Sequence, residues 1–276
     1  MEIRFMSIGS GSCGNCYYLG TDKYGILIDA GIPVKTIRLA LKKENIPFES
    51  ICAVFVTHDH ADHIKSLGVV ASKAMIPIYA TKGVHEGITR NYCITTPIDA
   101  QYVKYIEKEV PVQFRDMKIT AFEVPHDGSD NVGYCIEIGD KTFCFLTDLG
   151  CITDTAAKYI NRANFLVIEA NYEEEMLAMG KYPQFLKERV SSSTGHLSNQ
   201  TTARFLAENF NEHLKYIWLC HLSEENNHPE LAYKAVEMQM RSYGIIPGKD
   251  VYLNVLKRAT PPPLYHLSYN AVDSEI

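Results

Sequence analysis

One short segment constrains this chain more than any other: residues 57–63 read Thr-His-Asp-His-Ala-Asp-His. The apolar run directly before it, residues 51–56, predicts a buried strand, so the segment leaves a sheet edge as a loop. On an extended backbone His58 and His60 point the same way, whereas Asp62 and His63 fall where the chain turns toward the next helix. Imidazole and carboxylate ligands suit zinc, and manganese less exclusively. The segment therefore predicts a divalent-metal site rather than a polar surface turn.

Length and composition bound the organisation of the chain. With 276 residues, of which 46% are hydrophobic, it can form one large domain or two small ones. No linker or low-complexity tract divides it before a proline-rich stretch near the end. We therefore predict one domain over residues 1–258 and an irregular C-terminal surface tail over residues 259–276.

Charge, hydropathy and cysteine usage limit where in the cell the protein can reside and which partners it can bind. The first residues alternate like a strand and include charges, and no apolar run approaches a membrane span, so we expect neither a signal peptide nor a membrane partner. Eight cysteines, mostly in apolar runs, indicate buried thiols in a reducing cytoplasm. The net charge of −6 argues against a broad nucleic-acid-binding surface. Two divalent ions would still make a cleft locally positive, so a nuclease remains compatible with this charge.

Short strands and helices alternate along the chain, and residues 139–141, Gly-Asp-Lys, are typical of a tight hairpin. This mixture predicts an α/β fold with two mixed sheets covered by helices. The predicted strands cover residues 2–8, 15–19, 25–29, 51–56, 76–80, 118–124, 132–138, 142–146, 164–170, 215–220 and 251–255. The predicted helices cover residues 33–45, 63–74, 153–161, 172–179, 199–209 and 229–242.

Three more strand ends carry single residues of metal-ligand type. His126, Asp148 and His221 each follow an apolar run. Each one alone is typical of a helix cap or a surface position. The repeated order of apolar strand and then ligand predicts that these side chains converge with the first segment at one edge of the sheets.

The whole set resembles the metallo-β-lactamase superfamily across nearly the full chain. The resemblance implies an αββα sandwich with a site for two divalent metal ions, zinc or manganese. It implies that Asp148 bridges the two ions, and that Asp29 supports the ligands without binding metal itself. The remaining ligands divide into two sets: His58, His60 and His126 for one ion, and Asp62, His63 and His221 for the other.

Two further segments resemble the nuclease branch of that superfamily. Residues 191–198, Ser-Ser-Ser-Thr-Gly-His-Leu-Ser, resemble the histidine loop of tRNase Z-like enzymes. Glu169 resembles the glutamate that orients that histidine. We therefore expect catalytic roles for His196, Glu169 and Asp62. A simple helix-capping role for His196 is the alternative, although Ser198 is the better cap residue there.

The greatest similarity is to YycJ/WalJ-type metallo-hydrolases, through residues 9–15, 124–127, 145–148, 195–199 and 221–227. This resemblance implies a 5′-to-3′ exonuclease whose substrate is double-stranded DNA. Asp148 stands where many zinc β-lactamases have a cysteine, which argues against an antibiotic-degrading role. The chain also lacks the helical substrate domain that glyoxalase II-like thioesterases usually append.

Alternatives remain open. A small-molecule hydrolase of the same fold would act on a thioester, a lactone or a cyclic nucleotide. A non-catalytic partner in a bacterial signalling operon would keep only a vestigial site, but a complete ligand set argues against it. Lys181, Lys187 and Arg189 form either a solvated basic face or a contact to backbone phosphates. We expect Asp59 to hydrogen-bond a ligand histidine. The native metal and the oligomeric state stay undetermined.

Overall fold

A computed structural model describes residues 2–258 and 263–270. Its strands are β1 (Glu2–Gly9), β2 (Cys16–Gly20), β3 (Gly25–Ile28), β4 (Ile51–Phe55), β5 (Ile78–Ala80), β6 (Val103–Tyr105), β7 (Val112–Phe114), β8 (Met117–Glu123), β9 (Val132–Ile138), β10 (Lys141–Leu146), β11 (Phe165–Glu169), β12 (Tyr216–Cys220), β13 (Tyr252–Val255) and β14 (Tyr265–Ser268). Its helices are α1 (Val34–Lys43), α2 (Ala61–Ile64), α3 (Leu67–Ala74), α4 (Lys82–Arg90), α5 (Asp154–Ile160), α6 (Glu174–Met179), α7 (Gln184–Val190), α8 (Asn199–Glu208) and α9 (Pro229–Ser242), with 3-10 turns at Phe48–Ser50 and Ala100–Tyr102.

The described strands form two mixed sheets of seven strands each, in the orders β14-β1-β2-β3-β4-β5-β6 and β13-β12-β11-β10-β9-β8-β7. In the first sheet the pairs from β14 to β3 are antiparallel, and those from β3 to β6 are parallel. The second sheet is parallel from β13 to β10 and antiparallel from β10 to β7. The predicted α/β fold with two mixed sheets is confirmed, and so is the hairpin at residues 139–141, which joins β9 to β10.

The central strands are apolar on both faces and are buried on both, whereas the edge strands are partly exposed. On β10, Phe143 and Phe145 lie in the core between the sheets, where Phe143 packs 5.8 Å from the ring of Phe5 on the opposite sheet. Cys144 and Leu146 point the other way, into the core beneath α5, α8 and α9. A third core lies between the first sheet and α1, α3 and α4. The order of layers is therefore helices, sheet, sheet, helices.

The prediction of an irregular tail over residues 259–276 is wrong for part of that segment. Tyr265–Ser268 forms β14, which pairs antiparallel with β1 and buries Leu267 in the core between the sheets. Strand β1, at the other end of the chain, has an edge whose backbone N–H and C=O groups pair with β14. The local composition of residues 259–276 does not reveal a pairing with so distant a strand. Residues 259–262 and 271–276 lie outside the described residues, and the domain boundary at residue 258 stays a proposal.

None of the helices in the described part of the chain combines the length and the apolar character that crossing a membrane requires.

Candidate metal centre

The first predicted ligand set forms a compact cluster. One ring nitrogen from each of His58, His60 and His126 lies within 4.8 Å of the others. His60 Nδ1 is 3.3 Å from His126 Nε2. Both nitrogens can face a common centre because Nδ1 of His126 is already bonded to the carbonyl of Gly195, 2.8 Å away. The loop that carries His196 therefore also orients His126.

The second predicted set, Asp62, His63 and His221, comes together beside the first. Asp62 Oδ2 lies 3.6 Å from His63 Nε2 and 3.4 Å from His221 Nε2. Asp62 and His63 belong to the short helix α2, whereas His221 follows β12 of the other sheet with a left-handed backbone of φ 53°. The cluster thus joins side chains that the two sheets supply separately.

Asp148 lies between the two sets. Asp148, His58 and His63 form a further compact group, which contains one residue from each predicted set. Asp148 Oδ2 is 3.2 Å from His63 Nε2, and Asp148 Oδ1 is 3.0 Å from His221 Nδ1. This is the location that a bridging carboxylate needs, while metal binding by all seven residues stays a prediction.

Two orphaned atoms test whether these residues fit a metal. His58 Nε2 and Asp148 Oδ2 are both buried, and neither makes a well-aligned hydrogen bond, since the 3.2 Å contact of Asp148 Oδ2 with His63 Nε2 is an ion pair without that alignment. A buried polar atom without a partner is costly, so each position calls for a bound group. Burial lowers the pKa of His63, but three neighbouring carboxylates outweigh it and raise that pKa to about 10. The cluster therefore favours positive charge, and its donors suit a divalent cation such as zinc or manganese.

Asp29 supports the cluster from behind, as the resemblance implies. Its Oδ2 lies 2.7 Å from His63 Nδ1, which turns His63 Nε2 toward Asp62 and Asp148. Asp29 also accepts hydrogen bonds from the backbone and the hydroxyl of Thr57, each 2.8 Å long. Asp29 is fully buried with φ 60°, a strained conformation that persists only where the surroundings hold it.

The opening loop, residues 9–15, supplies further support that sequence reasoning did not assign. The hydroxyl of Ser10 accepts a hydrogen bond of 2.9 Å from the backbone of His221. The Asn15 amide nitrogen lies 3.2 Å from Asp62 Oδ2 and 2.9 Å from His63 Nε2. Residues 9–15 were part of the family resemblance. Their contacts with Asp62, His63 and His221 become visible only in the fold.

Glu169 and His196 form the predicted pair, with Glu169 Oε1 2.7 Å from His196 Nδ1. Glu169 ends β11 and is fully buried, and its Oε2 accepts the backbone N–H of Leu149 and Leu197. Burial lowers the pKa of His196, but the Glu169 carboxylate outweighs burial, and the net direction is upward. Glu169 Oε1 is also 2.9 Å from His221 Nδ1, so one carboxylate contacts both His196 and a predicted metal ligand.

Ser198, not His196, caps the helix that follows. The Ser198 hydroxyl accepts the backbone N–H of Thr201 at the start of α8.

Asp59 is the one residue of the first motif whose predicted contact is wrong. Its carboxylate accepts the backbone N–H and the hydroxyl of Ser129, at 2.8 and 2.6 Å, because the chain there turns it toward the loop after His126.

Asp127 is a site residue that sequence reasoning missed. Its Oδ1 lies 3.2 Å from His60 Nε2, and its Oδ2 accepts a hydrogen bond of 2.6 Å from Arg189. An acceptor at Nε2 of His60 favours the ring form whose Nδ1 is free to bind metal. In the sequence, the available signal for Asp127 was its position directly after the predicted ligand His126. Arg189 is therefore committed to a carboxylate, and Lys187 donates to the carbonyl of Ala178, 2.6 Å away.

Comparisons with known proteins identify the family of the chain. The family described as "Beta-lactamase superfamily domain" matches residues 24–216. The chain is 33% identical to the exodeoxyribonuclease YycJ of Bacillus anthracis over 249 residues, which cover 90% of this chain and 93% of that one. It is 35% identical to the exodeoxyribonuclease WalJ of Streptococcus pneumoniae serotype 2 (strain D39) over 261 residues, 94% of this chain and 97% of that one.

A solved structure supports the fold. The metallo-β-lactamase fold protein YhfI from Bacillus subtilis superposes with a TM-score of 0.70 at 17% identity, covering 96% of this chain and 100% of its own. The family match and the clusters of histidine and aspartate together indicate divalent-metal binding. The chain therefore belongs to the metallo-β-lactamase superfamily and is a YycJ/WalJ-type hydrolase.

Proposed function

We propose that this protein is a two-metal-dependent phosphodiesterase that degrades double-stranded DNA from a 5′ end. One observation carries the proposal: the pair of Glu169 and His196, 2.7 Å apart, borders the cluster of predicted metal ligands. The clusters would hold one ion on His58, His60 and His126 and the other on Asp62, His63 and His221, with Asp148 shared. The relatives named exodeoxyribonucleases span most of the chain and support DNA as the substrate.

The residues of the chain divide the chemistry between them. Divalent ions, when bound, would stabilise the charge that develops on a phosphate and would promote the ionisation of water. His196 is bonded to Glu169 through Nδ1, which leaves Nε2 to donate a proton to the leaving oxygen. Burial lowers the pKa of His196, but Glu169 and Asp148 together outweigh it, and the raised pKa favours the protonated form that donates. Asp62 and Asp148 hold negative charge where the cations are needed.

The pair also separates the proposal from one form of its small-molecule alternative, the cleavage of a thioester. A thiolate leaves readily without a proton, whereas a deoxyribose 3′-oxygen is a poor leaving group and needs an acid. A buried carboxylate that holds His196 at 2.7 Å therefore favours phosphodiester cleavage over thioester cleavage. The polarity and the duplex preference rest on the resemblance to YycJ/WalJ-type enzymes.

The remaining parts of the proposal concern location and organisation. We place the protein in the cytoplasm, because its eight cysteines are all free thiols, as a reducing compartment requires. Residues 1–258 would form the catalytic domain, and the C-terminal segment, residues 259–276, would contribute β14 to its first sheet. Zinc or manganese would serve as the metal.

The decisive experiment incubates the protein with Mn²⁺ and, in parallel, duplex DNA, single-stranded DNA, RNA and a thioester. The duplex carries a label at the 5′ end or the 3′ end of one strand. We expect early release of the 5′ label, slower loss of the 3′ label, and little turnover of the thioester. Early release of the 3′ label would contradict the polarity. Rapid thioester cleavage without DNA cleavage would establish the small-molecule alternative.

A further inference from the structure

Phe185 is an aromatic side chain on α7 that the fold does not use. It is 71% exposed, so it contributes little to any core. Met179, at the end of the preceding helix, is 87% exposed. Large apolar side chains that stay exposed are candidates for a binding surface, because water contact with them is unfavourable.

The position of Phe185 relative to the metal centre follows from helix geometry. Phe185 and Arg189 are four residues apart on α7 and so share one face of the helix. Arg189 reaches Asp127 at 2.6 Å, and Asp127 lies 3.2 Å from His60. That face of α7 therefore borders the metal centre. Phe185 lies about 6 Å further along the helix axis, which is within reach of a nucleotide next to the reacting phosphate.

The same segment also carries an exposed cation. Lys187 lies two residues from Phe185 and so on the other side of α7, where its Nζ donates to the carbonyl of Ala178. Lys181 is exposed, and within residues 2–258 and 263–270 it has no ion-pair partner. The nearby acid Glu188 is hydrogen-bonded by Gln184 along α7. An exposed aromatic ring and an exposed cation in one short segment match the chemistry of nucleic-acid strands, which present base faces and phosphates together.

We propose that Phe185 stacks on the terminal base of a DNA duplex while Lys181 contacts a backbone phosphate of the same strand end. This inference rests on the proposed nuclease function and names the surface that holds its substrate. Every base has a stacking face, and every nucleotide has a phosphate, so such a surface binds duplex ends with little preference for sequence.

The test measures DNA binding without turnover, in protein that also carries His196→Ala. The probe is a blunt duplex with 2-aminopurine at one 5′ terminus and fluorescein at the far end. We expect Phe185→Ala to weaken binding roughly 5- to 100-fold, in the range for the loss of one stacked base. It should also abolish the change in 2-aminopurine fluorescence, and Phe185→Trp should restore both signals.

Tyr252→Ala is the matched control. Tyr252 is 55% exposed, and it pairs with Tyr216 at the start of β12, the end of that strand opposite His221. It should bind DNA like the parent protein. Unchanged affinity and fluorescence in Phe185→Ala, or no duplex binding by the parent, would overturn the stacking surface. The nuclease function is judged separately, by whether the unmutated protein cleaves DNA at all.

Discussion

Asp148 lies between the two predicted ligand sets and is close to residues of both. It is buried, with Oδ2 3.2 Å from His63 Nε2 and Oδ1 3.0 Å from His221 Nδ1. Burial raises the pKa of Asp148, but His221 and His63 outweigh it and hold that pKa well below its ordinary value. An ionised carboxylate in this position requires a compensating cation on both sides.

Asp148→Ala should therefore lower the metal content of the protein as well as its activity. Each predicted ion loses its shared ligand, so we expect fewer than two ions per chain after dialysis, measured by elemental analysis. Asp140→Ala, which removes an exposed carboxylate from the β9–β10 turn, is the control and should keep the full content. Two ions per chain in Asp148→Ala would refute the bridging role.

His196→Ala should separate chemistry from metal binding. His196 contacts Glu169 and lies outside both predicted ligand triads, although one of its ring nitrogens is within 4.8 Å of ligand atoms of Asp148, Glu169 and His221. The loss of a general acid typically costs about 10²–10⁴-fold in rate, so we expect a fall of that size in kcat at unchanged metal content. Elemental analysis alongside turnover provides the check. If the variant loses metal, His196 is itself a ligand and the division of roles is wrong.

Glu169 sets the pH range in which His196 can act as an acid. Burial lowers the pKa of His196, and the Glu169 carboxylate more than offsets it. A general acid works only while protonated, so activity falls as pH rises through its pKa. Glu169→Gln removes the charge and lowers that pKa, so the alkaline limb of the kcat profile should move to lower pH. An unmoved limb at normal metal content would mean that another group controls it.

Part of this site could be predicted from residues, and part could not. His126, Asp148 and His221 each follow an apolar strand, and that order is visible in the sequence. The contact between Glu169 and His221 is not, because it depends on β11 and β12 lying side by side in parallel. Asp127 escaped assignment because its partner Arg189 lies on a distant helix. Ligand types recur in a readable pattern, whereas the groups that orient them come from anywhere in the fold.

At the level of elements, the loops before β2 and after β3 pack directly against the segment that carries the first motif. Ala30 N–H donates to the carbonyl of His63, and Asn15 N–H donates to that of Asp62, at 2.8 and 2.7 Å. A Cβ atom at Gly31 would lie only 1.6 Å from the Asp62 carbonyl oxygen. The ligand loop is thus held by backbone contacts that leave no room for a side chain.

Gly31→Ala should displace the Asp62 backbone and weaken metal binding. We expect a loss of about 1–3 kcal/mol in the free energy of unfolding, as for other overpacked positions, together with a reduced affinity for Mn²⁺. Gly244→Ala is the control, since nothing lies within 4 Å of its Cβ position and only its positive φ adds strain. It should lose stability but bind metal normally, as titration calorimetry can measure. Unchanged affinity in Gly31→Ala would show that the ligand loop tolerates the shift.

The elements themselves were predictable where they are long and buried. The helix predicted over residues 229–242 matches α9 (Pro229–Ser242). The helix predicted over residues 63–74 is instead two, α2 and α3. Helix α4 was missed because Gly83 and Gly87 lower its helix propensity. The fold requires Gly87 nonetheless, since a Cβ there would lie 2.0 Å from the Asp59 carboxylate. Tertiary contact overrides local preference at that point.

At the scale of the whole molecule, the candidate site joins the two sheets. His58, His60 and His63 follow β4 in the first sheet, whereas His126, Asp148 and His221 follow β8, β10 and β12 in the second. Ions bound among them would link both halves of the sandwich in the folded state. The unfolded chain keeps these ligands far apart, so such binding favours the folded state.

Removal of metal should therefore lower the thermal stability of the entire domain. Binding at one hundred times the dissociation constant adds about 2.7 kcal/mol per site. For a domain of this size, each kcal/mol corresponds to roughly 2–4 °C in Tm. We expect chelation to lower Tm by about 5–20 °C in a calorimetric scan, and excess Mn²⁺ to restore it. The shift should shrink in Asp148→Ala, which lacks the shared ligand. An unchanged Tm in metal-free wild-type protein would show that the sheets hold the site together without help from the ions.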